Sequence, residues 1–153
     1  ILVLDDDDNR HACFAKNLVD HDVVHARTYD EAVDAIMNTD EPFSVAFLDH
    51  DLNDFGLRSI GYDVSSYSSE ARELTGQHFC RHIINFLPRS MFPELFIVHS
   101  WNPDGARYMA HDLCSVDANV HVEPFHTLIG LNVSALVGHK PPHNKTSKRD
   151  INQ

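Results

Sequence analysis

The sequence predicts an α/β fold, a flavodoxin-like three-layer sandwich whose five parallel strands follow the order 2-1-3-4-5. Two observations carry this prediction. Five short apolar or β-branched runs alternate with segments of helical period along the chain. The length of 153 residues is about that of one domain. In such sheets, ligands bind beyond the carboxyl ends of the strands, so functional residues are expected there.

The predicted strands are short and rich in Val, Ile, Leu and Phe, as is typical of parallel strands buried on both faces. Each is followed by a helical segment, which makes the connections crossovers and the strands parallel. The strands are Ile1–Leu4, Asp22–His25, Ser44–Leu48, Leu95–His99 and Asn119–Val122.

Helix boundaries are marked by capping residues. Thr28 and Glu31 form a capping-box pattern, and Pro88 ends the third helix. Asn102 is the predicted N-cap of the fourth helix, with Pro103 at the first helical position. Apolar periodicity places the other helices at residues 10–19, 30–37, 75–87 and 126–137.

The domain is expected to span residues 1–138. It includes a long segment, residues 52–74, that is rich in Ser, Gly and Tyr and has no clear periodicity. Loops of that length inside compact domains are usually lids, binding loops or disordered inserts. Residues 139–153 have the composition of a basic mobile tail.

Charge and composition exclude several functions. The chain has 23 acidic and 12 basic residues, a net charge of −11. The tail holds four bases and one acid (+3), which leaves −14 for the body. A domain with this negative charge has no broad basic surface that could bind duplex nucleic acid. No apolar run approaches the ~18 residues of a membrane span. Three separated cysteines are expected to be reduced thiols at core or half-buried positions, which favours a cytoplasmic protein.

Chemistry-bearing side chains follow the predicted strands. Asp5 to Asp8 follow the first, Asp49 to Asp51 the third, and His99 and Ser100 close the fourth. Strands one, three and four are neighbours, so these residues meet at one edge. Crowded carboxylates need a positive partner. We therefore expect a divalent metal ion, Mg²⁺ or Mn²⁺, bound by oxygen ligands from Asp5, Asp6, Asp49 and Asp51. Asp7 and Asp8 are better explained as solvated acids at a helix N-terminus.

These residues resemble the receiver domain of response regulators. The matching segments are ILVLDD at residues 1–6, VAFLD ending at Asp49, FIVHS ending at Ser100, and HVEPF around Glu123. The resemblance implies Mg²⁺ held by the paired acids after strand one, phosphorylation at Asp49, and a phosphoryl contact from Ser100. Glu123 departs from the pattern, because it stands where that family has a lysine. The loss of this cation argues against ordinary phosphorelay signalling.

A closer resemblance is to the cyclic-phosphate-processing receiver-like family. It rests on LDDD-x-x-R-H at residues 4–11, LDHDL at 48–52, and VHSWNPDGAR-x-M at 98–109. The resemblance implies a metal-dependent phosphoesterase that processes a cyclic or terminal phosphate. The expected substrate is the phosphate of a nucleotide or an RNA end, in a setting such as RNA repair.

Opening a phosphate ester needs an activated water, charge stabilisation, and a proton for the departing alkoxide. A cation on Asp6 and Asp49 would supply the first two. His50 and His99 are the acid and base candidates, since imidazole titrates near neutrality. Ser100 and the amides at the helix that follows Asn102 would bind phosphate oxygens. Strand alternation turns His50 away from Asp49, so both histidines remain open to a structural role.

The alternative function is a non-catalytic receiver module that binds a divalent cation or a partner protein. The histidines of LDHDL and HSWN favour the enzyme, because an acyl-phosphate cycle has no use for them. Trp101 has two interpretations: it stacks on a nucleobase, or it anchors its loop by packing.

Overall fold

The computed structural model describes residues 1–52 and 74–130, with side chains described to residue 128. All of the predicted tail, and nearly all of the long segment at 52–74, lie outside these residues. Five parallel strands form one sheet in the order β2-β1-β3-β4-β5, which confirms the predicted fold class. The strands are β1 (Leu2–Leu4), β2 (Val24–Ala26), β3 (Val45–Leu48), β4 (Leu95–Val98) and β5 (Val120–Val122).

Three of the described helices begin at a residue whose side chain caps the helix. The first starts two residues earlier than predicted, because Asp7 accepts hydrogen bonds from the backbone N–H groups of Asn9 (2.7 Å) and Arg10 (3.2 Å). Thr28 and Asn102 cap the second and fourth helices as predicted. The helices are α1 (Asp8–Asn17), α2 (Tyr29–Met37), α3 (Gly76–Phe86), α4 (Pro103–Cys114) and α5 (Phe125–Gly130), with a 3₁₀ turn at Arg89–Met91. The predicted end of α5 at residue 137 lies outside the described residues.

Strand alternation divides the core between the two faces of the sheet. Ala46 and Leu48 of β3 face the side covered by α2, α3 and α4. Val45 and Phe47 face the other side, where Phe14 of α1 and Phe125 of α5 pack. Successive side chains of a strand point to opposite faces, so residues 49 and 50 continue this alternation past the strand end. The site is therefore built from both faces.

None of the described helices is long and apolar enough to cross a membrane. The three cysteines are free thiols. Cys80 is buried and Cys13 half-buried, but Cys114 is exposed at the end of α4, which corrects the expectation that all three are at least half-buried. It is the last residue of its helix, beyond the stripe that faces the core.

Candidate functional site

Three predicted metal ligands meet at the carboxyl edge of the sheet. Asp5 and Asp6 follow β1, and Asp49 follows the neighbouring β3. One carboxylate oxygen from each lies within 4.8 Å of the others. The backbone N–H of Asp49 donates to the carbonyl of Leu4 at 2.9 Å, which extends the parallel ladder one residue beyond the strands and sets the two acidic positions side by side. We call Asp5, Asp6 and Asp49 the acidic group.

Arg10, on the first turn of α1, extends into the acidic group. Its Nε donates to Asp5 Oδ1 at 2.9 Å. Its Nη2 donates to Asp49 Oδ2 at 2.7 Å and to Asp6 Oδ1 at 3.3 Å. The side chain is 13% exposed, against 3% for that of Asp49. Burial opposes the charge of Arg10, but Asp49 and Asp5 outweigh it and raise the pKa of the guanidinium.

Asp5 is the most deeply buried of the three acids. Burial is the largest influence on it and raises the pKa of its carboxyl to about 7, against the lowering effects of the Asp7 N–H and of Arg10. Oδ1 accepts from the Asp7 N–H at 2.8 Å, whereas Oδ2 is buried with no hydrogen-bond partner among the described residues. A buried carboxylate oxygen without a donor is costly, and a cation would satisfy it. The acidic group therefore fits a metal ion.

Asp49 is enclosed by donors. The backbone N–H of His50 donates to its Oδ1 at 2.7 Å, and the nearby Ser100 hydroxyl favours the charged form of the carboxyl and lowers its pKa. Burial nevertheless raises the pKa of Asp49 above its ordinary value. A buried carboxylate with a hydroxyl and amides around it is suited to receive a cation or a phosphoryl group.

His50 and Asp51 lie together beside α4, away from the acidic group. Asp51 Oδ1 is 2.6 Å from His50 Nδ1, so the proton of the neutral ring lies on Nδ1 and Nε2 is the basic nitrogen. Asn102 Nδ2 donates to Asp51 Oδ1 at 3.3 Å. Asp51 is exposed and does not belong to the acidic group, unlike its predicted role as a fourth ligand. Strand alternation turns His50 towards α4. Alternation alone would return Asp51 to the side of Asp49, but β3 ends at Leu48 and Asp51 no longer follows the strand pattern.

His99 is fully buried among aromatic rings. Its ring centroid lies 5.4 Å from that of Phe14 and 5.9 Å from that of Phe125. Neither ring nitrogen has a hydrogen-bond partner among the described residues, and Nδ1 is 3.7 Å from Asp5 Oδ2. Burial lowers the pKa of His99 to about 3. The ring is therefore neutral at physiological pH and has no exposed surface, which does not favour its predicted acid–base role.

The predicted phosphate ligands lie at the end of β4 and the start of α4. Ser100 Oγ accepts from the Asn102 N–H at 3.1 Å. Asn102 Oδ1 is occupied as the cap, since it accepts from the Gly105 N–H at 2.9 Å. Trp101 is 63% exposed and stacks on His126 of α5 with ring centroids 5.3 Å apart, so it packs against that helix and leaves much of its ring open to solvent.

Two further residues complete this edge. Glu123, after β5, lies 3.1 Å from His121 Nε2 through its Oε2. His11 of α1 is buried, with Nε2 2.6 Å from the backbone carbonyl of Asp5 and Nδ1 2.7 Å from His25 Nδ1. Because that carbonyl only accepts, His11 carries its proton on Nε2 and fixes the backbone at Asp5.

Sequence reasoning missed Arg10 as a site residue. The signal was present, because Arg10 follows Asp6 by four residues at the start of a helix, a spacing that brings opposite charges together. Asp7 and Asp8 behave as expected: Asp7 caps α1, and Asp8 is exposed and paired with Arg27 at 2.7 Å.

The fold is similar to that of solved receiver domains. The receiver domain of NtrX from Brucella abortus superposes with a TM-score of 0.53 at 20% identity, over 89% of this chain and 95% of that domain. A CheY-like receiver domain protein from Methanospirillum hungatei JF-1 gives 0.52 at 16% identity, over 89% and 90%. NtrX from Brucella abortus in complex with ADP gives 0.52 at 20% identity over 89% of this chain, which spans only 26% of that structure.

The fold is therefore that of a receiver domain. Residues 1–115 match the cyclic-phosphate processing receiver domain, and the chain belongs to this family. Comparison with curated proteins finds no match.

Proposed function

We propose that this domain is a metal-dependent phosphoesterase that hydrolyses a cyclic or terminal phosphate of a nucleotide or an RNA end. One observation supports this function above the others. Three carboxylates from two adjacent strands converge within 4.8 Å, and the most buried of them has an oxygen without a partner. The family to which the chain belongs processes cyclic phosphates.

Asp5, Asp6 and Asp49 are the residues that would hold the cation. A bound Mg²⁺ or Mn²⁺ would supply Lewis acidity and a water of lowered pKa. Carboxylate oxygens are the ligands these hard cations prefer. The buried setting strengthens the attraction, since electrostatic interactions grow as the local dielectric falls.

The residues around Asp49 would position the phosphate. The Ser100 hydroxyl and the N-terminal end of α4 lie at the neighbouring strand end, where the helix dipole favours negative charge. They need no rearrangement at the moment of reaction, because the Asn102 side chain caps the helix by accepting from the Gly105 N–H.

His50 is the acid–base candidate that the geometry favours. Its Nδ1 bond to Asp51 fixes the tautomer and leaves Nε2 to exchange a proton. The ring lies over Gly105, whose missing side chain makes room for it. As general acid it would protonate the leaving alkoxide when the P–O bond breaks, and the proton would return from the attacking water.

The test is hydrolysis of 2′,3′-cyclic nucleotides, cyclic dinucleotides and phosphate-ended oligonucleotides, in Mg²⁺, Mn²⁺ or EDTA. We expect turnover that EDTA and Asp49→Asn abolish. Asp20→Asn, an exposed acid before β2 at the opposite edge of the sheet, is the matched control and should retain activity. No turnover on any substrate by a folded protein that binds the cation would overturn the proposal.

A second candidate is the non-catalytic receiver module, which switches or binds a partner. It is favoured by the burial of His99 and by Arg10, which already neutralises part of the acidic group. In a switching receiver, an Asp49 oxygen attacks phosphorus of a small acyl phosphate and the carboxylate of the donor leaves. Intact-mass measurement with acetyl phosphate and Mg²⁺ tests this. A phosphoryl adduct that Asp49→Asn removes supports the module, and no adduct excludes phosphoryl switching.

A further inference from the structure

Arg10 is placed where a bound cation would have to lie. Its Nη2 contacts Asp6 Oδ1 and Asp49 Oδ2, oxygens of two of the three proposed ligands. A divalent cation needs lone pairs from these carboxylates at about 2.0–2.6 Å. A guanidinium at hydrogen-bond distance occupies the same space and repels a second positive charge. The two cations therefore compete for Asp6 and Asp49.

When a phosphate binds, the charge of the site requires both the divalent cation and the Arg10 guanidinium. Three carboxylates and one guanidinium leave a formal charge of −2. A phosphate ester adds negative charge, and Glu123 at the end of β5 adds more. A divalent cation alone balances the residual carboxylates but leaves the phosphate without a charged donor. The guanidinium supplies that donor if it moves from the carboxylates to the phosphate.

Arg10 is built for such a move. It lies on the first turn of α1, whose N-terminus is fixed by the Asp7 cap. The long side chain can therefore change rotamer without any movement of the helix. Its Cζ, the central carbon of the guanidinium, lies 5.8 Å from the centroid of the Phe125 ring, whose face attracts the cation without a fixed hydrogen-bond geometry. The planar guanidinium binds phosphate oxygens through two parallel hydrogen bonds.

We propose that a divalent cation displaces the Arg10 guanidinium from Asp6 and Asp49, and that the displaced guanidinium then binds the phosphate oxygens of the ligand. Without a metal ion, Arg10 is thus the counter-ion of the acidic group. With the metal ion and phosphate bound, Arg10 is a phosphate ligand. This inference rests on the proposed function, since it assumes that the acidic group takes a metal ion.

The direct test follows the Nε–H of Arg10 by ¹H–¹⁵N NMR, with the resonance assigned by its loss in Arg10→Met. In the full chain, Mg²⁺ should shift this resonance as its bond to the acidic group breaks, and inorganic phosphate should then shift it again. Arg107, an exposed arginine paired with Asp104, should not respond and serves as the internal control.

Calorimetry supplies the second readout. Arg10→Met should bind Mg²⁺ about tenfold more tightly than the wild type, because the competitor is gone. In saturating Mg²⁺ the same variant should bind inorganic phosphate about tenfold more weakly, and Arg10→Lys should be intermediate. Arg107→Met, with the same change of charge, should match the wild type in both titrations.

The outcomes separate the inference from the proposed function. If Mg²⁺ binds the wild type while the Arg10 resonance stays in place, displacement is wrong and the metal site stands. If phosphate affinity in Mg²⁺ is equal in Arg10→Met and wild type, the phosphate contact is wrong. If neither the wild type nor Arg10→Met binds Mg²⁺, the metal site of the proposed function is itself overturned.

Discussion

Arg10 Nη2 and Asp49 Oδ2 lie 2.7 Å apart, although 39 residues separate them in the chain. The pair joins the first turn of α1 to the end of β3. It forms because Asp49 continues the face of β3 that carries Val45 and Phe47, the face that α1 covers. A residue on the other face, such as His50, is out of reach of Arg10. The geometry of one strand thus decides which polar residue joins the acidic group.

Asp6→Asn and Asp49→Asn should each weaken Mn²⁺ binding by more than about tenfold, or ~1.4 kcal/mol. Each substitution keeps the shape of the side chain and removes one negative charge from the cation's ligands. Arg10 keeps two acidic partners in either variant, so the fold should persist. Isothermal titration measures the affinity, with Asp20→Asn, an exposed acid before β2, as the control. Unchanged Mn²⁺ binding in Asp49→Asn would remove that carboxylate from the ligand set.

His99→Phe should preserve or increase the free energy of unfolding, because it replaces a buried ring without hydrogen bonds by an apolar ring of similar size. His99→Ala should instead destabilise by about 3 kcal/mol, since it leaves a cavity among three phenylalanines. Chemical denaturation distinguishes them. A loss of more than ~2 kcal/mol in His99→Phe would mean that the imidazole nitrogens do have partners.

The same variant carries a pH prediction. Burial lowers the folded-state pKa of His99 to about 3, against an ordinary value of 6.5. Between these values the unfolded state binds a proton that the folded state does not, so His99 costs stability as pH falls below 6.5. The difference in the free energy of unfolding between His99→Phe and wild type should therefore grow by up to about 1.4 kcal/mol per pH unit as the pH falls from 6.5 towards 3, and should not depend on pH above 7. Denaturation in EDTA across this range measures it, and a constant difference would contradict the buried neutral ring.

Sequence alone could predict the sheet order, the helix caps and the convergence of Asp5, Asp6 and Asp49. These follow from periodicity and from the rule that parallel strands end at one edge. The spacing of four residues from Asp6 points to Arg10 as a partner of that acid, but it does not show that the same guanidinium also reaches Asp5 and Asp49, which depends on the tertiary fold. Strand alternation correctly predicts that the His50 side chain points away from Asp49. It does not predict that Asp51 lies outside the acidic group, because that depends on where β3 ends, at Leu48.

Gly105→Ala should displace His50. A Cβ at position 105 would lie 2.4 Å from His50 Cγ, closer than any van der Waals contact allows. Overpacking of this kind costs about 1–3 kcal/mol. Gly105→Ala in a His50→Ala background should cost much less, because the ring that clashes is gone. A thermodynamic cycle over the four proteins measures the coupling, and additive costs would mean that His50 does not lie over Gly105.

Glu123→Lys should strengthen the binding of inorganic phosphate in the presence of Mg²⁺. Glu123 follows β5, two strands from Asp49, so its charge lies ~10 Å from the acidic group at the usual strand spacing. Replacing a negative by a positive charge there should gain on the order of 1 kcal/mol at low ionic strength, a several-fold change in affinity. The gain should shrink in high salt, since the side chain is partly exposed and screened.

Glu123→Gln should give about half of that change, because it removes one charge instead of reversing it. Glu41→Lys makes the same reversal at the opposite edge of the sheet, before β3, and should leave phosphate affinity unchanged. Equal gains from Glu41→Lys and Glu123→Lys would show that phosphate responds to net charge alone. A gain confined to Glu123 would place the phosphate at the carboxyl edge, beside Arg10 and Ser100.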